Sequence, residues 1–220
     1  MDIIKKTNIL LEIEKCGVIA VLRSDSKEEA LKTIDALLNG GMTGIEVTFS
    51  IPQAEEVIRE TVSKYKDNAY IVVGAGTVLD AMTARIAIMA GAEFVVSPMF
   101  DSEIAEICNL YHVPYLPGCM TITEIKTALR SGVDIIKLFP ASTYEPSFVD
   151  AVKGPLPQVN IMPTGGINLH NMEQWLSKGC VAVGVGGNLL APAKTGDYDQ
   201  ITKLAKQYMD KYNEIKMVTA

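Results

Sequence analysis

The sequence lacks the features of a nucleic-acid-binding protein or a membrane protein. Its 220 residues include 20 Lys and Arg against 26 Asp and Glu, a net charge of -6, and no basic run is present that could neutralise a nucleic-acid backbone. The most apolar segments span about four to six residues, whereas a bilayer-spanning helix needs about 20. The first residues carry scattered charges, which is typical of an amphipathic helix and not of a signal peptide. We therefore expect a soluble cytoplasmic protein with neither a nucleic-acid nor a membrane partner.

Signatures of disulfides, metal sites and nucleotide loops are missing as well. The four cysteines are widely spaced without a CxxC pair, which favours reduced, buried thiols over disulfides. The two histidines, His112 and His170, have no second histidine three or four residues away, so we expect both at the surface and predict no metal site. No GxSxG motif, Walker phosphate loop or GxGxxG turn occurs, and no cofactor is expected.

What the sequence does contain is an alternation of short β-branched runs with amphipathic segments. Eight such runs lie at 18–22, 44–48, 70–73, 93–96, 113–116, 134–138, 160–162 and 181–183. Their spacing of roughly 23 residues suits parallel strands with crossover helices, and segments such as 26–38 and 102–111 have a helical apolar face. Glycines that can end a helix precede several of the runs, including Gly91, Gly132 and Gly179. The pattern predicts one domain over residues 1–220, an α/β (β/α)8 TIM barrel with an extra N-terminal helix across its bottom, with an open doubly wound sheet as the alternative.

Lys137 interrupts one of the apolar strands. Because residues alternate between the two faces of a strand, Ile135, Lys137 and Phe139 share one face, and that face must bury a lysine. Burial disfavours the ammonium ion and leaves a neutral amine that can attack a carbonyl and form a Schiff base. The alternatives are a lysine that extends to solvent from the strand end and a lysine that binds phosphate.

Glu46 is a second polar residue inside a predicted strand. Ile45 and Val47 are expected to face the helices, which places Glu46 toward the barrel interior, where an unpaired carboxylate is costly. We expect Lys137 or Arg23 to be its partner. A carboxylate beside a nucleophilic lysine supplies the proton carrier that imine chemistry needs, and a purely structural ion pair is the alternative.

Two glycine-rich turns come after the last two predicted strands. They cover residues 163–168 and 184–188, and each is expected to lead into a helical segment. Backbone amides at such turns can bind a phosphate group, and barrel enzymes often bind phosphate at this position. Tight turns without a ligand are the alternative.

Six motifs, in this order and at barrel spacing, resemble those of the bacterial 2-keto-3-deoxy-6-phosphogluconate (KDPG) aldolases, the family that also cleaves 4-hydroxy-2-oxoglutarate (KHG). They are IEVT (45–48), GAGTV (74–78), VSP (96–98), PG (117–118), IKLFPA (136–141) and PTGGI (163–167). The resemblance runs from about Ile13 to Tyr212. It implies a metal-independent class I aldolase, a carbon–carbon lyase on a (β/α)8 barrel that usually forms a homotrimer and acts on a small phosphorylated keto acid.

The resemblance also implies roles for individual residues. Lys137 corresponds to the Schiff-base lysine and Glu46 to the proton-transferring glutamate, and Thr164 is expected near the reacting carbons. The other expected contacts are Thr77 and Pro98 with the pyruvyl group, Phe139 with the substrate beside the lysine, and Gly165, Gly166, Gly186, Gly187 and Asn188 with the phosphate.

Two positions depart from the family's pattern. Some members carry an arginine for the pyruvate carboxylate four residues after the glutamate, where this chain has Ser50. The departure suggests that Arg23, at the end of the first predicted strand, binds the carboxylate, as in relatives with Val-Leu-Arg there. A serine common at the phosphate turn is Asn188 in this chain, which leaves the strength of phosphate binding open.

The leading functional hypothesis is reversible cleavage of KDPG to pyruvate and glyceraldehyde 3-phosphate, with cleavage of KHG to pyruvate and glyoxylate as a further activity. The epimeric 2-keto-3-deoxy-6-phosphogalactonate is the nearest alternative substrate. A phosphate-binding barrel epimerase or decarboxylase would use no covalent lysine. A non-catalytic sugar-phosphate-binding barrel would not need a buried Lys–Glu pair.

Overall fold

The computed structural model describes residues 4–219, so residues 1–3 and 220 of the predicted domain lie outside the described part of the chain. The strands are β1 (Val18–Leu22), β2 (Gly44–Thr48), β3 (Val72–Gly76), β4 (Val95–Ser97), β5 (Tyr115–Cys119), β6 (Ile135–Leu138), β7 (Asn160–Pro163) and β8 (Val183–Val185). The α-helices are α1 (Lys5–Cys16), α2 (Lys27–Asn39), α3 (Ala54–Lys64), α4 (Ala81–Ala90), α5 (Ser102–Leu110), α6 (Ile122–Arg130), α7 (Ser147–Lys153), α8 (Met172–Leu176), α9 (Gly187–Leu190) and α10 (Tyr198–Thr219). Short 3-10 helices cover Ala141–Thr143 and Ala191–Thr195.

The strands form one parallel sheet that curves into a nearly closed barrel. Each strand pairs with the next along the chain from β1 to β7, and β8 pairs with β1. A parallel bridge between Thr164 and Gly184 joins the two remaining edges, those of β7 and β8. The predicted (β/α)8 barrel is thereby confirmed, and the open doubly wound sheet is wrong.

Several strands begin later than the sequence pattern predicts. β3, β4, β5 and β8 each begin two residues after the predicted start, and β6 begins one residue after it. In β3 the reason is visible: the N–H groups of Tyr70 and Ile71 donate to Asn68, which forms a turn, and pairing begins only where Val72 lies opposite Gly44. An apolar β-branched run predicts a strand, but the position of the neighbouring strand decides where the hydrogen bonds start.

The barrel has an inner and an outer apolar core, as period-two alternation requires. On β2, Ile45 and Val47 pack in the outer core between strands and helices. The inner core is closed at the bottom by α1, which places Ile9, Ile13 and Cys16 against the ends of the strands. The strands contribute Ile19, Val72, Phe94, Val96, Leu116, Ile135, Met162 and Ala182 to this inner core. The predicted N-terminal helix across the bottom is confirmed.

Glycines end several helices in the expected way. Gly91, Gly132 and Gly179 have φ angles of 105°, 79° and 75°, the left-handed region that only glycine enters at little cost. The long C-terminal helix α10 packs on α2, where the hydroxyl of Thr202 donates to the carbonyl of Ala36 at 2.9 Å. This last helix was not among the elements predicted from the sequence.

The expected burial of the cysteines and exposure of the histidines are both observed. The four cysteines are free and buried, and both His112 and His170 are exposed. Within residues 4–219, no helix combines the length and the apolar character needed to cross a membrane.

Candidate active site

The centre of the site is a buried ion pair inside the barrel. Lys137 lies on β6 and Glu46 on β2, and their atoms Nζ and Oε1 are 3.6 Å apart. Only 5% of Lys137 and 1% of Glu46 are exposed. Neither carboxylate oxygen of Glu46 accepts a hydrogen bond from any group that the structure describes. A buried carboxylate with spare acceptor capacity beside a primary amine can exchange protons with that amine or with a molecule bound to it.

Two strand glycines make room around this pair. A Cβ on Gly76 of β3 would overlap the Glu46 carboxylate. Gly118 of β5 is the Cα partner of Lys137, and a Cβ there would overlap the carbonyl oxygen of Pro98. Glycine inside a strand often marks such a close approach, so Gly76 and Gly118 belong to the construction of the site although neither was assigned a role from the sequence.

Thr164 follows β7 and also points into the barrel. It is 5% exposed, and its hydroxyl has no hydrogen-bond partner among the described groups. The hydroxyl occupies the space that a Cβ on Gly184 would fill. The backbone of Thr164 is held by β6 and the segment after it, because its N–H donates to Leu138 and its carbonyl accepts from Ala141. A fixed backbone and an unpartnered hydroxyl suit Thr164 for contact with a bound molecule.

A cavity of about 650 Å³ lies beside the ion pair, at the carboxyl end of the strands. Its wall includes Val21, the Cα partner of Glu46, and Phe139, whose ring centroid is 5.0 Å from the Nζ of Lys137. Of the predicted site residues, the wall also contains Arg23, Thr164, Gly165, Gly166, Gly186, Gly187 and Asn188. Lys137 and Glu46 do not themselves line this cavity. Val21 and Phe139 bring its wall next to them, and the cavity extends to both glycine-rich turns.

The two glycine turns lead into different structures. After β8, helix α9 begins directly at Gly187. After β7, the turn at 163–168 leads to helix α8, which begins at Met172 after three further residues. A loop separates them because Gly165 and Gly166 have φ angles of 95° and 82°, which a helix cannot continue through. Any anion at the β7 turn must therefore be bound by loop amides.

Arg23 lies at the rim of the cavity and does not contact Glu46. Its side chain is exposed, and its Nη1 donates to the hydroxyl of Ser50 at 3.3 Å. Ser50 in turn is 2.8 Å from the hydroxyl of Thr48. Of the two partners expected for Glu46, the structure selects Lys137, and the guanidinium of Arg23 lies on the wall of the cavity.

Thr77 and Pro98 lie beside the ion pair but not on the wall of this cavity. Thr77 follows Gly76, next to Glu46, and adopts a left-handed φ of 55°, which is uncommon for a residue with a branched side chain. The carbonyl of Pro98 lies against Gly118, which is the Cα partner of Lys137. Thr77 follows β3 and Pro98 follows β4, the strands that lie across the barrel from β7 and β8.

Cys119 carries a buried thiol on β5, the strand that pairs with Lys137 and its neighbour on β6. Cys119 on β5 pairs with Leu138, but its side chain packs in the outer core. Burial raises the pKa of Cys119 to about 12, so the thiol stays protonated at neutral pH and is a poor nucleophile.

Comparison with known proteins decides the family. The model of the KDPG and KHG aldolases matches residues 9–204. The chain belongs to this family. Within the family, it is 36% identical over 199 residues to the 2-dehydro-3-deoxy-phosphogluconate aldolase of Treponema pallidum, covering 89% of this chain and 93% of that one. It is 31% identical over 201 residues to the 2-dehydro-3-deoxy-6-phosphogalactonate aldolase of Escherichia coli, covering 91% and 96%.

A solved structure of the same family agrees with the fold. The KDPG aldolase from Legionella pneumophila, with pyruvate captured as a covalent carbinolamine intermediate, matches with a TM-score of 0.82 and 28% identity. The match covers 93% of this chain and 97% of that one. The structural match thus extends over nearly the whole barrel, in agreement with the family model over residues 9–204.

Sequence reasoning missed several residues of this family member's cavity. Asp25 and Glu29, from the loop after β1 and the start of α2, line it together with Lys194 after α9. Asn168, which follows the β7 turn, lines it too. Their signal in the sequence is weak, because they lie between three and eleven residues after a predicted strand, as many polar residues of a barrel do.

Proposed function

We propose that this protein is a class I aldolase that cleaves KDPG to pyruvate and glyceraldehyde 3-phosphate through a Schiff base at Lys137. The observation that carries the proposal is the buried pair of Lys137 and Glu46, 3.6 Å apart, beneath a cavity with two glycine-rich turns. A fold that needed only a packed barrel would place apolar residues at both positions.

The geometry supports a complete reaction sequence. The amine of Lys137 attacks the C2 carbonyl of the substrate, and the carbinolamine loses water to give a protonated imine. The C4 hydroxyl then loses its proton, the C3–C4 bond breaks, and its electron pair enters the imine to form an enamine as the aldehyde departs. The enamine takes up a proton at C3, and water hydrolyses the resulting imine to pyruvate and the free amine.

Glu46 is the proton carrier in this sequence. Its carboxylate lies beside the amine and accepts no hydrogen bond within the described chain, so it can accept the C4 hydroxyl proton and return a proton to C3. Thr164, with an unpartnered hydroxyl, is positioned to orient an oxygen of the reacting carbons.

The ends of the substrate are held by different groups. Arg23 is the guanidinium on the cavity wall, and it would bind the pyruvyl carboxylate with two parallel hydrogen bonds. The backbone amides at Gly165, Gly166, Gly186, Gly187 and Asn188 would bind the phosphate. KHG carries a carboxylate where KDPG carries its phosphate end, so we expect it to bind these amides less well than KDPG does.

The 6-phosphogalactonate epimer is the second candidate substrate. The specific observation in its favour is the 31% identity to the Escherichia coli 2-dehydro-3-deoxy-6-phosphogalactonate aldolase over 91% of this chain. The two substrates differ in the configuration of a hydroxyl-bearing carbon, so the same lysine and glutamate would serve both. Pyruvate release from each epimer and from KHG, measured with purified protein, ranks the three.

The Schiff base itself is tested by borohydride reduction in the presence of pyruvate. We expect a stable adduct at Lys137, located by mass mapping, and its loss in Lys137→Met. Lys178→Met, at an exposed ion pair between the loop after α8 and α7, is the control and should trap pyruvate as the parent does. An adduct at another lysine, or none, would overturn the proposal and favour a non-covalent epimerase or decarboxylase.

We also propose that the protein is a homotrimer assembled through α4. This helix exposes Met82 and Met89 by 76% and 68%, with Ile86 between them. Its single charged residue, Arg85, lies over the ring of Tyr111 at 4.1 Å. Leu110 at the end of α5 continues the apolar surface. An apolar helix face of this kind suits contact with another copy of the chain.

A further inference from the structure

The glycine-rich turn after β7 (residues 163–168, the β7 turn) accepts hydrogen bonds from, and donates them to, a side chain that does not line the cavity. Asn171, in the loop before α8, donates from Nδ2 to the carbonyl of Gly166 at 2.9 Å and accepts at Oδ1 from the N–H of Asn168 at 2.8 Å. The Nδ2 of Asn168 adds a longer bond to the same carbonyl at 3.3 Å. Two amide side chains thus converge on one backbone oxygen.

These bonds fix the direction of the next N–H group. In a trans peptide the carbonyl and the N–H point in opposite directions, so the Ile167 N–H points away from the Gly166 carbonyl and hence away from Asn171. The N–H groups of Gly166 and Ile167 make no hydrogen bond to any group within residues 4–219. Both residues line the cavity, whereas Asn171 does not.

The turn needs such a constraint because its glycines are conformationally free. Gly165 and Gly166 both have positive φ angles, and glycine populates positive and negative φ about equally. Without an external hydrogen bond, the Gly166–Ile167 peptide could rotate and turn its carbonyl, an acceptor, toward the cavity. A carbonyl there would repel an anion that the N–H would attract.

We propose that Asn171 is a positioning residue, which orients the Gly166–Ile167 peptide so that its N–H receives the phosphate end of the substrate. The inference rests on the proposed aldolase function for its substrate, but the orientation of the peptide does not depend on the chemistry at Lys137. Asn171 acts through the turn and touches no substrate atom.

Two variants separate the donor from the acceptor of Asn171. Asn171→Asp keeps an oxygen for the Asn168 N–H but loses the donor to Gly166, and Asn171→Ala loses both. Asn109→Ala is the matched control, because the Nδ2 of Asn109 also donates to a backbone carbonyl, that of Ser131, at 2.9 Å on the exposed side of α5.

We expect both Asn171 variants to raise KM for the phosphorylated substrate about tenfold, the scale for losing one or two oriented hydrogen bonds. The KM for KHG and the borohydride trapping of pyruvate should change little, and Asn109→Ala should match the parent in all three. Equal increases in KM for both substrates would mean a general structural defect and would overturn the positioning role.

A second measurement is independent of catalysis. Titrating 15N-labelled protein with inorganic phosphate should shift the Ile167 amide resonance in the parent, and the Asn171 variants should need about tenfold more phosphate for the same shift. If the parent cleaves neither phosphorylated epimer but shows this response, the aldolase proposal fails and the positioning role stands. An Ile167 amide that does not respond in the parent, or responds equally in the variants, would overturn the positioning role.

Discussion

At the scale of single residues, the carboxylate of Glu46 is the least conventional group in the protein. It is buried, it lies 3.6 Å from the Lys137 amine, and both of its oxygens lack a hydrogen-bond donor in the described chain. Burying a carboxylate without a hydrogen-bond donor lowers the free energy of unfolding. The cost is understandable if the oxygens must stay available for protons that move during turnover.

Glu46→Gln should therefore stop proton transfer and leave covalent chemistry in place. Glutamine has the same shape but does not titrate, so we expect exchange of the pyruvate methyl protons with solvent to fall by about 100-fold or more, while borohydride still traps pyruvate. Exchange is followed by NMR in deuterium oxide. Glu12→Gln is the control, since Glu12 is also buried beside a lysine, but at the bottom of the barrel. Unchanged exchange in Glu46→Gln would refute the assigned role.

Arg23 is the second residue whose role is tested singly. Its guanidinium is held only by Ser50 at the cavity rim within the described chain, so its removal leaves no buried group unpaired. We expect Arg23→Met to weaken pyruvate binding by about 2 to 3 kcal/mol, the scale for a charged hydrogen bond, with the fold intact. Calorimetry measures the affinity, and Arg59→Met, in the exposed groove between α2 and α3, is the control. Parent-like binding in Arg23→Met would place the carboxylate elsewhere, with the backbone amides near Thr77 as the next candidate.

At the scale of elements, Gly166 in the β7 turn has a positive φ angle and a close neighbour, so a side chain at this position is unfavourable for two reasons. Gly166 has a φ of 82°, and a Cβ there would lie 2.9 Å from the Cβ of Ser142. Gly41, between α2 and β2, has a similar φ of 86° but open space around it. The two glycines carry the same backbone strain when substituted, and only Gly166 lies at the cavity.

Gly166→Ala should raise KM for the phosphorylated substrate several-fold more than KM for KHG, because the turn must shift and its amides shift with it. Gly41→Ala should lower the free energy of unfolding by about 1 to 2 kcal/mol, the cost of a left-handed alanine, without altering either KM. Steady-state kinetics and urea unfolding measure the two effects. If Gly166→Ala loses activity equally on both substrates, the turn does not serve the phosphate.

At the scale of the whole molecule, the exposed face of α4 contrasts with the rest of the surface. The chain has 26 acidic and 20 basic residues, yet α4 carries a single charge and exposes two methionines. Methionine adapts to irregular apolar contacts. Such a face on a protein with this many charges supports the proposed contact with another copy of the chain.

Met89→Lys should break this contact, because a charge buried in an apolar interface is strongly destabilising. We expect light scattering to give about three times the mass of one chain for the parent and the mass of one chain for the variant. Met217→Lys on α10 is the control, since Met217 is 75% exposed and lies far from α4 in the sequence. A parent that is a monomer, or a Met89→Lys variant that stays trimeric, would contradict assembly through α4.

The sequence alone was sufficient to predict the barrel and the direction of its two central side chains. Period-two alternation is a local property, so the positions of Ile45 and Val47 in the outer core could be derived from adjacent residues, and Glu46 and Lys137 follow on the inner side. The regular spacing of strands and of helices that end at glycine can also be read along the chain, and it predicted a closed barrel. Strand starts were less accurate, because pairing depends on a neighbour that the local pattern does not describe.

Only the tertiary structure decided which residues meet. Lys137 and Arg23 were both candidates for Glu46, and strand register brings Lys137 to it while Arg23 reaches Ser50. The Asn171 bonds to the β7 turn and the packing of α10 on α2 were likewise invisible in the sequence. Such contacts depend on the register and curvature of the closed sheet and on loop conformation, which are set by the whole barrel and not by any local periodicity.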